Sequence, residues 1–269
     1  MIPDIPAVGD LMRAVAASEV LTRFRNLKPD QIKEKDFGEL VTVADLRVEE
    51  VLERELRALV PGSKVIGEEM VSRDISILDA LSTTDPLWII DPIDGTQNFA
   101  DGKSCFAMII AYVHKGETLA GWIHEPYTNA LVWAAKGQGA WEKGTRLQIT
   151  NRADVSEFRG SLNKSARERL NRRKIEENLE IPKDMTRYHC VGAEYADLAR
   201  GNLQFAHYMG NIKPWDHAAG ILIHSEAGGY SGYSDSGKPY FPIPPHRDRA
   251  IIIAPGSGAW ARLRDLTSI

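Results

Sequence analysis

The sequence predicts an α+β chain: a helical N-terminus, then an antiparallel sheet, then from about residue 150 an alternating α/β half. Three observations carry this. Apolar residues recur at helical spacing in two early stretches. Three short apolar runs follow, divided by hairpin-like connections. Beyond residue 150, helical stretches alternate with single strands.

Residues 8–24, VGDLMRAVAASEVLTRF, place Val8, Leu11, Met12, Val15 and Leu21 on one face of a first helix. A second helix is expected from Thr42 to Val60, with Val48, Leu52, Leu56 and Leu59 on one face and Pro61-Gly62 as its stop. A short strand, Lys64 to Ile66, runs into GEE. Then FAMIIAYV (106–113), TLAGWIHE (118–125) and NALVWAAK (129–136) are separated by HKGE and PYTN, and KGQGAWEKGTRL adds two tight turns. Consecutive hairpins of this kind build a mostly antiparallel sheet on the two N-terminal helices. In the second half, SARERLNRRKIEENLE reads as a charged helix and TRYHCVG as a strand. AEYADLARG reads as a helix closed by Gly201, and LQFAHYMG as a strand. PWDHAAGILIHSEAGG is a helix from near Trp215 to Gly228-Gly229, and RAIIIAPG a late buried strand. The expected division is a part over residues 1–150 carrying most of the candidate acids and a part over 151–269 supplying Asp216 and substrate contacts.

The bulk numbers exclude several function classes. A net charge of -4 and a pI near 6.0 lack the basic excess of a general nucleic-acid binder. No apolar run approaches the roughly 18 residues that span a bilayer. The opening MIPDIPAVGD has no basic segment leading into an apolar core, so no secretory signal is expected. Cys105 and Cys190 are far apart in sequence and form no paired metal motif, consistent with a reduced, cytoplasmic protein.

The chemistry concentrates around WIIDPIDGTQNFADG, residues 88–102. Pro92 has no amide proton and a fixed φ, so the strand is expected to end there, with Asp91 at its carboxyl end and Asp94 in the following turn. Amides of Gly95 and Thr96 would then face any bound anion. The spacing differs from the D-x-D-G-T nucleophile motif of haloacid-dehalogenase-type phosphatases, whose acids are two apart without a proline between them. That disfavours a covalent mechanism. GEE at 67–69, PWDHAAG with Asp216 in its first helical turn, and TVAD at 42–45 bring further acids. Each has an ordinary reading: a solvated glutamate, a helix-dipole partner and a capping box. If Glu68, Asp91, Asp94 and Asp216 converge, however, four negative charges share one pocket and repel one another unless cations are present. Oxygen-only ligands suit Mg2+ better than zinc. Adjacent acids of this kind commonly hold two ions about 4 Å apart that clamp a phosphoryl group.

In that order and at those intervals, GEE, DPIDGTQNF and PWDHAAG, with LVTVADLRVEE upstream, resemble the signature motifs of the inositol monophosphatase family. This family belongs to the Mg2+-dependent, lithium-sensitive phosphatase superfamily that includes fructose-1,6-bisphosphatases. The resemblance implies a layered αβαβα sandwich and a homodimer. It also implies two to three Mg2+ held by Glu68, Asp91, the Ile93 carbonyl, Asp94 and Asp216, the third and weakest ion lying near Glu68. Asp45 and Thr96 would help deprotonate a metal-activated water that attacks phosphorus directly, with Glu68 in the same catalytic set. Asp94, Gly95, Thr96, Asp216 and the segment Gly192-Ala193-Glu194 would contact substrate. Inositol 1-phosphate is the substrate the resemblance implies by default.

Departures from the family pattern bear on that substrate. Family members that prefer inositol phosphate place a glutamate about seven residues before the Trp-Asp aspartate, where this chain has Met209 beside Tyr208. The family's G-[ST]-A segment is Gly192-Ala193-Glu194 here, and Glu194 is a candidate replacement for the missing acid. Histidinol phosphate, fructose 1,6-bisphosphate and 3'-phosphoadenosine compounds therefore stay open as substrates. Lys33 and Lys35 are equal candidates for a lysine near the site. His207 reads as a hydrogen-bonded core residue, His217 as structural or substrate-side, and Trp215 as packing beneath the acids. No nucleic-acid or membrane partner is expected. The competing reading is a non-catalytic regulatory partner, which the complete set of Glu68, Asp91, Asp94, Thr96 and Asp216 disfavours.

Overall fold

The structure, a computed structural model, describes residues 2–36, 38–151, 154–245 and 248–267. Helix α1 (Ile5–Val15) starts earlier than the apolar spacing indicates because Asp4 caps it, accepting from the Ala7 amide at 3.0 Å. It buries Val8, Met12 and Val15, and continues through one wider turn, Ala16–Val20. Strands β1 (Ile32–Asp36) and β2 (Glu39–Thr42) form an antiparallel hairpin that apolar patterning did not reveal, since β1 reads IKEKD. Helix α2 (Val43–Leu59) begins at a Thr42–Asp45 capping box, as the sequence indicates, and buries Val48, Leu52 and Leu56.

A seven-stranded sheet follows: β3 (Lys64–Gly67), β4 (Leu87–Asp94), β5 (Ala107–His114), β6 (Glu117–Glu125), β7 (Ala130–Ala135), β8 (Gly139–Glu142) and β9 (Thr145–Leu147). The strands neighbour one another in chain order, and all pairs are antiparallel except β3 with β4. That crossover runs through α3 (Glu68–Arg73) and a 3-10 stretch, Ile75–Ser82. One sheet face, with Trp88, Ile90, Ile110 and Trp122, packs on α1 and α2. The other, with Ile89, Ile109 and Ile123, faces the second half of the chain.

Strand β4 does not end before Pro92, contrary to the sequence expectation. Asp91 pairs with Ile109 and Asp94 with Ala107, so β4 carries one more residue than β5 between those pairs. Such a bulge leaves positions out of the ladder, and a proline there costs no hydrogen bond. Gly95 then takes φ 85°, and the short helix α4 (Thr96–Ala100) begins.

The second sheet contains β10 (Arg159–Leu162), β11 (Asp184–Thr186), β12 (Phe205–Gly210), β13 (Tyr230–Tyr233) and β14 (Arg249–Ala254), in the spatial order β11-β10-β12-β14-β13. Its outer face, with Phe205 and Ile252, packs on α5 (Lys164–Glu176) and α8 (Ser257–Thr267) through Leu170, Trp260 and Leu263. Between the two sheets lie α6 (Val191–Arg200) and α7 (Pro214–Glu226), packed on Ile109 and Ile123 on one side and Ile251 and Ile253 on the other. The order of layers is α, β, α, β, α. The α7 backbone sits so close to the first sheet that a Cβ on Gly121 would meet Ala219 Cα at 2.8 Å.

The stretch TRYHCVG is not a strand. Only Thr186 belongs to β11, His189 adopts φ 55°, and α6 already begins at Val191. Its apolar residues fill a helix start and the space beneath the site instead of a ladder.

Candidate active site

The carboxyl ends of β3 and β4, the β1–β2 hairpin and the N-termini of α6 and α7 surround a cavity of about 320 Å3. Glu68, Asp91, Asp94 and Asp216 all line it, with Ile93, Gly95 and Thr96. Within the predicted substrate segment, Glu194 lines the cavity and Ala193 packs in the core. The Gly192 amide donates to Asp94 Oδ2 at 2.5 Å. The Cys190 thiol donates to the same oxygen at 3.1 Å, so the start of α6 grips Asp94.

Asp45 stands behind the cavity, 1% exposed. Its Oδ2 accepts from the Thr42 amide at 2.8 Å and from Thr42 Oγ1 at 2.5 Å. Its Oδ1 accepts from Thr96 Oγ1 at 3.2 Å. Thr96 Oγ1 also lies 2.9 Å from the Ile93 carbonyl. One carboxylate thus caps α2 and holds the first residue of α4, and the ordinary and the catalytic reading of TVAD coexist in it.

The acids raise one another's pKa. Burial, then the charges of Glu68, Asp94 and Asp216, push Asp91 well up. Burial pushes Asp216 up against the pull of Lys213. Asp94 rises to about 6 through burial, restrained by the Gly192 amide and the Cys190 thiol. Burial takes Asp45 to about 7. Asp91 Oδ1 is buried with no hydrogen-bond partner. A buried carboxylate oxygen left this way, beside other carboxylates, is a cation ligand in waiting.

Two ammonium groups offset part of this charge. Lys35 Nζ lies 2.9 Å from Glu68 Oε1 and 2.6 Å from Glu69 Oε1, whereas Lys33 is exposed; Lys35 is the lysine at the site. Lys213 Nζ lies 3.0 Å from Glu39 and 3.5 Å from Glu68. Among the described residues no three His, Cys, Asp or Glu side chains stand close enough together to ligate an ion as they are. The orphaned Asp91 oxygen and the all-oxygen donor set nevertheless fit Mg2+ or a similar hard cation.

Sequence reading missed Lys213, although it stands directly before Pro-Trp-Asp. It also missed Glu49, 1% exposed, which accepts from the Glu69 amide at 2.8 Å and so fixes the GEE turn. A Cβ on Gly67 would meet that carboxylate at 2.1 Å, which is why glycine opens GEE. Cys105 and Cys190, distant in sequence, are neighbours whose thiols interact. His207 is buried, but neither ring nitrogen has a hydrogen-bond partner, so it is not the satisfied core histidine expected. His217 also lines the cavity; its Nδ1 lies 3.1 Å from Tyr195 Oη, and burial pushes its pKa down to about 3.

An acid-lined cavity at the strand ends of an αβαβα sandwich suits a ligand held through hard cations. Comparison with known proteins narrows it. The sequence profile of the inositol monophosphatase family matches residues 8–256. The Thermotoga maritima fructose-1,6-bisphosphatase/inositol-1-monophosphatase is 32% identical over 200 residues, 73% of this chain and 72% of that protein. Inositol monophosphatase 1 of Bos taurus is 32% identical over 198 residues, 71% and 70% of the two chains. A Xylella fastidiosa protein named Nus factor SuhB is 30% identical over 231 residues, 84% and 81%. The structure of the Thermotoga maritima IMPase superposes with a TM-score of 0.81 at 25% identity, covering 98% of this chain and 96% of that one. The chain belongs to the inositol monophosphatase family and has that family's phosphatase architecture. Among the described residues no helix is long and apolar enough to cross a membrane.

Proposed function

We propose that the protein hydrolyses a small phosphate monoester with Mg2+, the ions held by Glu68, Asp91, Asp94, Asp216 and the Ile93 carbonyl. The observation that carries this reading is the buried, partnerless Asp91 Oδ1 among three further cavity carboxylates. Bound Mg2+ supplies charge neutralisation at phosphorus and acidifies a water. The remaining chemistry belongs to the chain. Thr96 Oγ1 accepts a proton from the attacking water while its own passes to Asp45 Oδ1, 3.2 Å away. Asp45, pushed up to about 7, is basic enough to take that proton near neutrality. The start of α6 holds Asp94 in place through the Gly192 amide and the Cys190 thiol.

Inositol 1-phosphate heads the substrate set because relatives named for that activity include the Bos taurus protein. Fructose 1,6-bisphosphate follows on the Thermotoga relative's name. Lithium sensitivity, two to three ions and a homodimer complete the reading. The test is a comparison of kcat/KM across inositol 1-phosphate, fructose 1,6-bisphosphate, histidinol phosphate and 3'-phosphoadenosine compounds with Mg2+. Turnover of none of them removes the phosphatase reading.

A further inference from the structure

Two thiols meet directly beside the acids. Cys105 and Cys190 are the only cysteines of the chain. Cys190 Sγ stands between Asp94 Oδ2, at 3.1 Å, and the Cys105 thiol, with which it interacts. Asn98 Nδ2 ties the two segments together, lying 2.9 Å from both the Cys105 and the Tyr188 carbonyls. Gly95 is wedged between them: a Cβ there would meet Cys105 O at 3.1 Å and Cys190 Cβ at 3.2 Å. The thiols differ in access. Cys190 is 1% exposed, whereas Cys105 is half-buried and open to a small reagent. The contact with Cys190 also holds the Cys105 pKa below the ordinary thiol value, while burial pushes Cys190 up.

We propose that Cys105 and Cys190 form a site of reversible oxidative modification, closing to a disulfide in the presence of a hydroperoxide and thereby loosening Asp94. The effect on turnover rests on the phosphatase reading above; the modification itself does not. Cys105 Sγ attacks one oxygen of hydrogen peroxide. The O–O bond breaks, leaving Cys105 as a sulfenic acid and releasing hydroxide, which takes the thiol proton to become water. Cys190 Sγ then attacks the Cys105 sulfur. The S–O bond breaks, and the departing hydroxide takes the Cys190 proton as a second water. Two electrons pass from the pair of sulfurs to one peroxide. The new bond draws the sulfurs to about 2.05 Å and leaves Cys190 Sγ with no proton to donate. Asp94 Oδ2 then keeps the Gly192 amide but loses the thiol. Tightening the clasp on Gly95 also shifts the turn that leads into Thr96. Asp94 is one of the acids proposed to hold a cation, so the oxidised protein binds Mg2+ more weakly.

The experiment treats wild-type protein, Cys105→Ser and Cys190→Ser with hydrogen peroxide, with and without later dithiothreitol. Intact mass should show the wild-type monomer losing two hydrogens, and non-reducing peptide mapping should join Cys105 to Cys190. In Cys190→Ser nothing resolves the intermediate, so dimedone should trap a sulfenic acid at Cys105. Calorimetric titration should find Mg2+ binding weakened about 10–100-fold in the oxidised wild-type protein, the usual effect of removing a hydrogen bond from a metal ligand. Turnover of p-nitrophenyl phosphate at limiting Mg2+ should fall by the same factor, and dithiothreitol should restore both. Cys105→Ser should keep its untreated activity and lose the response to peroxide. Thiols that stay free or oxidise past the disulfide, cross-linked dimers, or a disulfide that leaves Mg2+ binding unchanged overturn the proposal. Should the wild-type protein hydrolyse no ester, the phosphatase reading falls, while mass and calorimetry still decide this one.

Discussion

Thr96 Oγ1 donates to Asp45 Oδ1 across 3.2 Å, although 51 residues separate them. The contact joins the start of α4 to the start of α2, and it forms because each residue occupies the first turn of its helix. Asp45 is buried and its pKa is pushed up to about 7, and this is the pair proposed above as the proton acceptor.

Asp45→Asn keeps one acceptor oxygen for Thr42 at the start of α2, while its NH2 faces Thr96 Oγ1 as a donor and can take no proton from it. We expect kcat on p-nitrophenyl phosphate to fall by about 10²–10⁴-fold with little change in KM. Thr96→Ala should fall similarly, and the double variant should be no worse than the more damaging single one, because the two residues act as a unit. Fully multiplicative losses in steady-state kinetics contradict the relay.

Asp91→Asn should stabilise the metal-free protein. The folded pKa of Asp91 is raised above its unfolded value, so stability is greatest below that unfolded value and is lost as pH rises through the folded one. At pH 7 in EDTA the neutral amide removes that burden, so the variant should melt at a higher temperature than the wild-type protein. Added Mg2+ should raise the wild-type Tm and leave the variant's almost unchanged, reversing their order. Thermal melts in EDTA and in Mg2+ measure both.

Lys213 holds positive charge against Glu68 and Glu39 before any ion arrives. Lys213→Met should therefore tighten Mg2+ binding, by about three- to tenfold at the effective dielectric of such a site. Isothermal titration calorimetry of the metal-free proteins reads this. Weaker or unchanged binding shows that the ammonium does not compete with the cation.

His224 gives a pH prediction away from the site. It is 1% exposed, its Nδ1 has no partner, and burial pushes its pKa down to about 3. The unfolded chain protonates it near 6.5, so its contribution is present above 6.5 and lost as pH falls towards 3. Between pH 7 and 5 this amounts to about 2 kcal/mol. Asp45 and Glu49, both pushed up to about 7, act in the opposite direction. His224→Leu isolates the histidine: its urea-derived stability should change with pH more favourably on acidification by that amount, and an identical pH dependence contradicts the assignment.

Helices and hairpins with strong apolar periodicity were legible: α2, β5, β6, β7 and α7 lie within a residue or two of their expected limits. The chain's carboxylates announced themselves because acids directly after apolar runs are physically awkward. Three kinds of feature were not legible. The β1–β2 hairpin lacks an apolar face, so nothing in IKEKD marks a strand. The continuation of β4 through Pro92 depends on a bulge, which is a property of pairing with β5 and not of β4 alone. TRYHCVG has strand-like composition, but the Tyr188 amide is taken by Glu194 and His189 turns to positive φ, both dictated by tertiary contacts. Lys213 and Glu49 gain their meaning only when α7 and α2 approach Glu68 and Glu69.

The most direct measurement is hydrolysis of inositol 1-phosphate and p-nitrophenyl phosphate by the wild-type protein and Asp91→Asn, each in EDTA and in Mg2+. The cation-clamped carboxylate site predicts turnover by the wild-type protein in Mg2+ alone, and a loss of about 10³-fold or more in Asp91→Asn with its melting transition intact. Undiminished turnover in EDTA, or an active Asp91→Asn, contradicts it.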